Sequence, residues 1–121
     1  MNARPETVAW LTRYYELLDQ NRVGDAIRGF IADDFTIRFG NGEPMGFIDQ
    51  ARRMSEHVTG VRHKLLTVFE GEDRSLACEL EVTYIRRDGS SITLPGSLFA
   101  RVEDGRFIEQ HVYIDQGPLL A

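Results

Sequence analysis

Glu79 and Glu81 stand two apart in the strand-like run 76–86, which sets both carboxylates on one face, ~6.5–7 Å apart along the chain. Two carboxylates that close, and poorly solvated, repel each other, so one pKa rises. A protonated and an ionised carboxyl then stand together near neutral pH, a general acid beside a general base. The alternate positions of the same run are Leu76, Cys78, Leu80, Val82 and Tyr84. Plain alternation makes that apolar row the core and turns the glutamates to water. The two readings conflict. They reconcile where the apolar row packs against a second subunit and the glutamates line a wet pocket.

His63 opens a strand, and imidazole titrates near neutral pH, so it joins the acid–base candidates. His57 falls on a helix and reads as exposed. His111 and Tyr113 alternate with Gln110 and Val112, which places the first two on the outer face of the last strand. Tyr14 sits in a helical apolar stripe, where a buried phenol needs a partner for its hydroxyl. Cys78 is the one cysteine, so no internal disulfide is open to it. With no base near it in sequence, it reads as a small packed residue. Three scattered histidines and one cysteine give no zinc-ligand spacing. Gly40-Asn41-Gly42 is not followed by the helix start that a phosphate-binding loop requires. The expectation is no metal and no bound cofactor.

The elements that must position these residues follow from periodicity. Pro5 and Glu6 open a helix whose stripe is Val8, Leu11, Tyr15 and Leu18, widened by Trp10, Tyr14 and Leu17. Residues 20–22 break it. A short second helix covers 26–31, residues 32–34 turn, and 35–39 alternate as a first strand. The loop 40–44 is rich in turn formers. A third helix covers 46–58, with Phe47, Ile48, Ala51, Met54 and Val58 on its apolar side. The pattern then becomes β, with strands over 63–70, 76–86, 92–102 and 106–115. Turns at 71–73, Asp88-Gly89 and Asp104-Gly105 separate them. Gly117-Pro118 ends the ordered pattern. Helices first and hairpin-linked strands afterwards make an α+β fold: three N-terminal helices packed on a curved antiparallel sheet around an internal pocket.

The bulk composition narrows the partners. The chain has 121 residues, fitting one domain over 1–121, with 42% hydrophobic and 27% charged residues. Its net charge of -5 argues against nucleic acid and against an anionic membrane, both of which need a basic face. No apolar run approaches the length of a transmembrane helix, and residues 1–6 lack the apolar core of a signal peptide. The cytoplasm is the default location.

The segment Arg13-Tyr14…Ala32-Asp33-Asp34-Phe35, then Gly42-Glu43-Pro44, Asp104-Gly105-Arg106-Phe107-Ile108 and Val112-Tyr113-Ile114-Asp115 resembles the nuclear-transport-factor-two-like superfamily. That group includes the SnoaL-like polyketide cyclases, ketosteroid isomerases, limonene epoxide hydrolases and scytalone dehydratases. The resemblance covers nearly the whole chain. It implies a conical α+β barrel with a deep apolar pocket and a homodimer, which here would form through the outer sheet face. Tyr14 falls on the oxyanion-binding tyrosine of the ketosteroid isomerases, while their base and second acid fall on Phe39 and Ser97. Asn41 matches an asparagine of the limonene epoxide hydrolases. Their arginine and two aspartates fall on Glu79, Glu81 and Val112. His63 is similar to an inner-face histidine of the scytalone dehydratases.

The resemblance thus implies catalytic candidates Tyr14, Glu81, Glu79 and His63. It implies a lining of Phe39, Asn41, Ser97, Phe99, Gln110 and Val112. The expected partner is a small apolar-to-amphipathic molecule, handled by cofactor-free isomerisation, cyclisation, dehydration or hydrolysis. The alternative is a ligand-binding or dimerisation scaffold without chemistry, because none of the compared catalytic sets is complete in this chain.

Overall fold

A computed structural model describes residues 2–120. Pro5 fixes the first turn of α1 (Pro5–Asp19), where its missing N–H leaves no bond unmade. The helix is stopped by Asn21, which takes a left-handed φ of 60°. Asn21 N–H then bonds the Leu18 carbonyl at 3.0 Å and Arg22 N–H bonds the Leu17 carbonyl at 2.8 Å. This is a Schellman closure, and it satisfies carbonyls that the helix end would otherwise leave open.

The chain continues through α2 (Val23–Phe30), β1 (Ile31–Phe39), α3 (Phe47–Ser55), β2 (Val58–Glu70), β3 (Ser75–Arg86), β4 (Ser91–Glu103), β5 (Arg106–Ile114) and α4 (Gly117–Leu120). The expected turn at 32–34 is absorbed into β1 as an irregularity. Ile31 pairs with Phe107 and the next pair is Thr36 with Glu109, so the turn-forming residues loop out without ending the strand. α3 is shorter than its apolar pattern, and β2 begins at Val58, five positions before the expected start at His63. Order does not end at Gly117-Pro118: these two residues open α4, which buries Leu119. Asp104 and Gly105 both take positive φ, 52° and 74°, the tight two-residue turn that their types predict.

The sheet is five-stranded, open, curved and mixed, in the order β1-β5-β4-β3-β2. β2 to β5 form the expected antiparallel meander, whereas β1 runs parallel to β5. Short hairpins force neighbours to reverse; β1 reaches β5 only through α3 and three strands, so nothing fixes its direction to antiparallel.

The core lies between the helices and one face of this sheet. Leu76, Cys78, Leu80, Val82 and Tyr84 of β3 are all buried there, with Leu94, Leu98 and Ala100 of β4. Each large apolar side chain so buried contributes about 1.5–3 kcal/mol relative to exposure. At one end Trp10, Tyr14, Phe30 and Phe107 close the core as an aromatic cluster, with centroids 4.8–5.6 Å apart. At the other end α3 contacts both β1 and β2, the two edge strands, and bridges the mouth of the curved sheet. No residue of α3 is fully buried, because its inner side faces open space instead of packed atoms.

Candidate functional site

That space is a cavity of about 240 Å³ bounded by α1, α3 and the concave face of the sheet. It far exceeds the ~10–15 Å³ that a single water needs. Phe39, Phe47, Met54, Val82 and Leu98 give it an apolar wall. Among the described residues no lysine, arginine, aspartate or glutamate lines it. Nine of its lining residues carry uncharged polar or titratable side chains, and His63 is the one held by a carboxylate.

His63 stands on the concave face of β2, and a bulge helps to keep this strand's inward row apolar beyond it. Leu65 pairs with Leu80 and Thr67 with Glu79, so Leu66 is an extra residue. Inward positions shift from His63 and Leu65 before the bulge to Val68 after it. The imidazole Nδ1 lies 2.7 Å from Asp19 Oδ1, and the His63 backbone N–H donates to Asp19 Oδ2 at 3.0 Å. One carboxylate thus grips both the backbone and the ring of the same residue. The side chains of His63 and Asp19 are 12% and 20% exposed. The Tyr15 ring stacks on the imidazole at 4.4 Å between centroids and 29° between planes. In the neutral tautomer that donates Nδ1–H to the carboxylate, Nε2 carries the lone pair. Nε2 has no hydrogen-bond partner among the described residues, and His63 is one of the residues that line the cavity. An orienting carboxylate behind a histidine, with the far nitrogen open, is the arrangement of a general base.

Tyr14 is 2% exposed, and its hydroxyl oxygen accepts a hydrogen bond from Gln110 Nε2 at 3.2 Å. Burial pushes its phenol well above the ordinary range, and the Gln110 contact offsets part of that rise. Tyr84 lies on β3, and its hydroxyl accepts from Gln116 Nε2 at 3.1 Å; burial raises its pKa as well. Phe39, Gln110 and Val112 also line the cavity.

The remaining expected site residues stand elsewhere. Glu79, Glu81, Ser97 and Phe99 occupy the opposite, convex face of the sheet, and Asn41 is exposed in the loop after β1. The expected lining is therefore one residue out of phase on β3 and β4. The register shows why the four move together. Opposite partners in an antiparallel ladder share a face. Gln110 pairs with Ala100, which pairs with Leu76; Val112 pairs with Leu98, which pairs with Cys78. Once Gln110 and Val112 face inward, the even-numbered residues of β4 and β3 must do so too. Turning Glu79 and Glu81 inward would expose Leu80, Val82 and Tyr84 and desolvate two carboxylates, a loss on both counts. The apolar row of β3 meets this chain's own helices, not a second subunit. Cys78 belongs to that row, 3% exposed, and burial pushes its thiol up to about 11, which leaves it protonated.

Asp19 and Tyr15 are site residues that the sequence reading did not single out. Asp19 carried a signal. An acid in the last turn of a helix opposes the negative end of the helix dipole, and no basic residue accompanies it there. Such a local conflict points to a tertiary partner, here His63. Tyr15 carried none, being one more aromatic in an apolar stripe.

A helix-backed, curved sheet closing on an apolar cavity defines the nuclear-transport-factor-two-like class of fold. Residues 11–110 match the family model described as SnoaL-like domain, and the chain belongs to that family. Among solved structures it is similar to a nuclear-transport-factor-two-like protein of unknown function from Burkholderia pseudomallei, with 15% identity, 97% and 96% of the two chains covered, and a TM-score of 0.81. It is also similar to a candidate SnoaL-like polyketide cyclase from Jannaschia sp. CCS1, with 16% identity, 99% and 94% covered, and a TM-score of 0.77. A third is AclR, a candidate hydroxylase from Streptomyces galilaeus, with 16% identity, 98% and 80% covered, and a TM-score of 0.78. At these identities the likeness is one of fold. No curated protein matches the chain by sequence. Among the described residues no helix is long and apolar enough to cross a membrane. Family and cavity together make this a small-molecule-binding protein.

Proposed function

We propose that the chain is a cofactor-free acid–base enzyme whose base is His63 Nε2, oriented by Asp19, acting on a small apolar-to-amphipathic molecule. The observation that carries this reading is the Asp19–His63 pair at 2.7 Å on a histidine that lines the cavity. The absence of charged side chains from the lining sets the ligand class. A permanently charged molecule would lose its hydration there without a fixed countercharge. Proton removal creates an imidazolium next to the Asp19 carboxylate, and that new pair is favoured by their contact. The proton taken from one atom of the substrate is returned to another, or to the same one, so no external reagent is required. Tyr14, held by Gln110, is a polar group of the cavity floor that can meet a substrate oxygen.

The test uses 2-tetralone, a neutral ketone with acidic α-hydrogens, in deuterated water. The protein accelerates α-deuteration above the buffer rate, His63→Gln removes the acceleration, and Asp19→Asn lowers it about 10²–10⁴-fold. Acceleration that survives His63→Gln would remove the base from this account.

A second copy of the chain is the partner that the convex face favours. Phe69, Phe99 and Tyr113 are 46%, 51% and 46% exposed there. Register places Phe69, Ala77, Phe99, His111 and Arg38 in one row across all five strands. His111 is fixed in that row by Gly40 O at 2.9 Å and the Arg38 guanidinium at 3.0 Å. Light scattering at micromolar concentration should report a dimer; a monomer would leave this aromatic row unexplained.

A further inference from the structure

α3 is held across the cavity mouth by few bonds. Phe47, Gln50, Ala51 and Met54 recur at helical spacing on its inner side and line the cavity, and all of them are only half-buried. Ahead of the helix, Met45 is fixed to β1 by backbone bonds with Ile37 at 2.8 and 2.9 Å, and the Phe47 ring meets Phe35 at 6.0 Å. Behind it, the chain enters β2 at Val58, which is buried and paired with Arg86. Between these fixed points a single side chain from another element bonds the helix end. Arg87 donates Nη2–H to the Ser55 carbonyl and Nε–H to the Glu56 carbonyl, the latter at 3.5 Å. The last carbonyls of a helix lack donors of their own, and a guanidinium there also meets the negative end of the dipole. Among the described residues no other hydrogen bond or ion pair joins residues 47–56 to a separate element.

Arg87 is mounted on a rigid support. It stands in the turn between β3 and β4, where Arg86 N–H bonds the Ser90 carbonyl at 2.8 Å and Gly89 N–H bonds the Arg86 carbonyl at 3.0 Å. The Asp88 carboxylate accepts from the Ser90 N–H and O–H at 2.9 and 2.6 Å. The helix it holds has no buried residue. An element with few buried contacts and one polar tether opens at lower cost than the sheet behind it. We propose that α3 is a movable strap over the cavity mouth, latched by Arg87, and that release of the latch sets how fast a neutral ligand enters and leaves. The inference rests on the reading of the cavity as the ligand site, not on the chemistry assigned to His63. A ligand inside supplies the inner side of α3 with the apolar atoms it lacks, so the strap closes more firmly over an occupied cavity.

The test compares Arg87→Ala with Arg86→Ala. Arg86 carries the same charge one residue away, but it bonds the Ser90 hydroxyl and the Pro118 carbonyl, not α3. The probe is tetralin, a neutral hydrocarbon, with its entry and exit rates read by NMR exchange. Arg87→Ala raises both rates about tenfold and leaves the affinity within about threefold, because the latch is lost from the free and the occupied protein alike. Without ligand, amide hydrogen exchange over residues 51–55 speeds up about tenfold in Arg87→Ala, while the β3 amides keep the wild-type rate. Arg86→Ala changes neither reading. Passage rates in Arg87→Ala equal to wild type would overturn the strap. So would an equal acceleration in Arg86→Ala, and so would a wild-type cavity that takes up no tetralin. The two proposals fail separately. Passage that depends on Arg87, with no α-deuteration of 2-tetralone, supports the strap and sinks the base. Deuteration that needs His63, with passage indifferent to Arg87, does the reverse.

Discussion

The two faces of β3 differ in nearly everything. Inward, Leu76, Cys78, Leu80, Val82 and Tyr84 are buried to within 6% exposure; outward, Ala77, Glu79, Glu81 and Thr83 keep contact with solvent. The outward face carries the carboxylates, yet the inward face borders the cavity. A carboxylate pair in water has ordinary neighbours and nothing to hold a substrate. A single imidazole set in a largely apolar wall, with a carboxylate behind it, has a fixed orientation and a cavity beside it. The proposed site rests on one oriented imidazole in a largely apolar wall, not on a concentration of charge.

The largest effect that separates the faces is on stability. Leu98→Ala, on the concave face at 1% exposure, should cost about 2–5 kcal/mol. Ser97→Ala, one residue away on the convex face, should stay within about 0.5 kcal/mol. Equal losses in denaturant unfolding would mean that the two faces are not distinguished by packing. The next effect is on assembly. Phe99→Glu places a charge in the exposed aromatic row and should convert a dimer to a monomer by light scattering while the cavity stays intact. Dimers that persist would move the interface off this face.

The smallest effect concerns acid. The Arg4 guanidinium bonds Glu70 and holds its carboxyl down at about 2, aided by Arg4 N–H and the Thr7 hydroxyl. The folded value lies below the unfolded value of ~4.3, so this contribution is complete above that pH and is lost as pH falls toward 2. Glu70→Gln should therefore lower Tm above that window and flatten its decline across it. An unaltered acid profile would show that the pair is screened by solvent.

Much of the fold was readable because local signals agreed. The stripe of α1, the Asp104-Gly105 turn and the alternation of β3 each name their element without tertiary help. The direction of β1 was not readable, since strand polarity across a helical crossover depends on contacts far apart in sequence. The lining of the cavity was readable in part. Tyr14, His63, Phe39, Gln110 and Val112 do border the cavity. The glutamates were carried inward by resemblance against their own alternation, and the burial of Leu80 and Tyr84 decided the matter. Asp19 lies 44 residues from His63 in the chain, and no local pattern pairs them.

The most direct test sets one face against the other in the same reaction. α-Deuteration of 2-tetralone is measured in the wild-type protein, in His63→Ala and in the double variant Glu79→Gln/Glu81→Gln. The account predicts that His63→Ala returns the rate to that of buffer, while the double variant keeps the wild-type rate within about twofold. A rate lost in the glutamate variant and kept in His63→Ala would place the chemistry on the convex face and contradict the account.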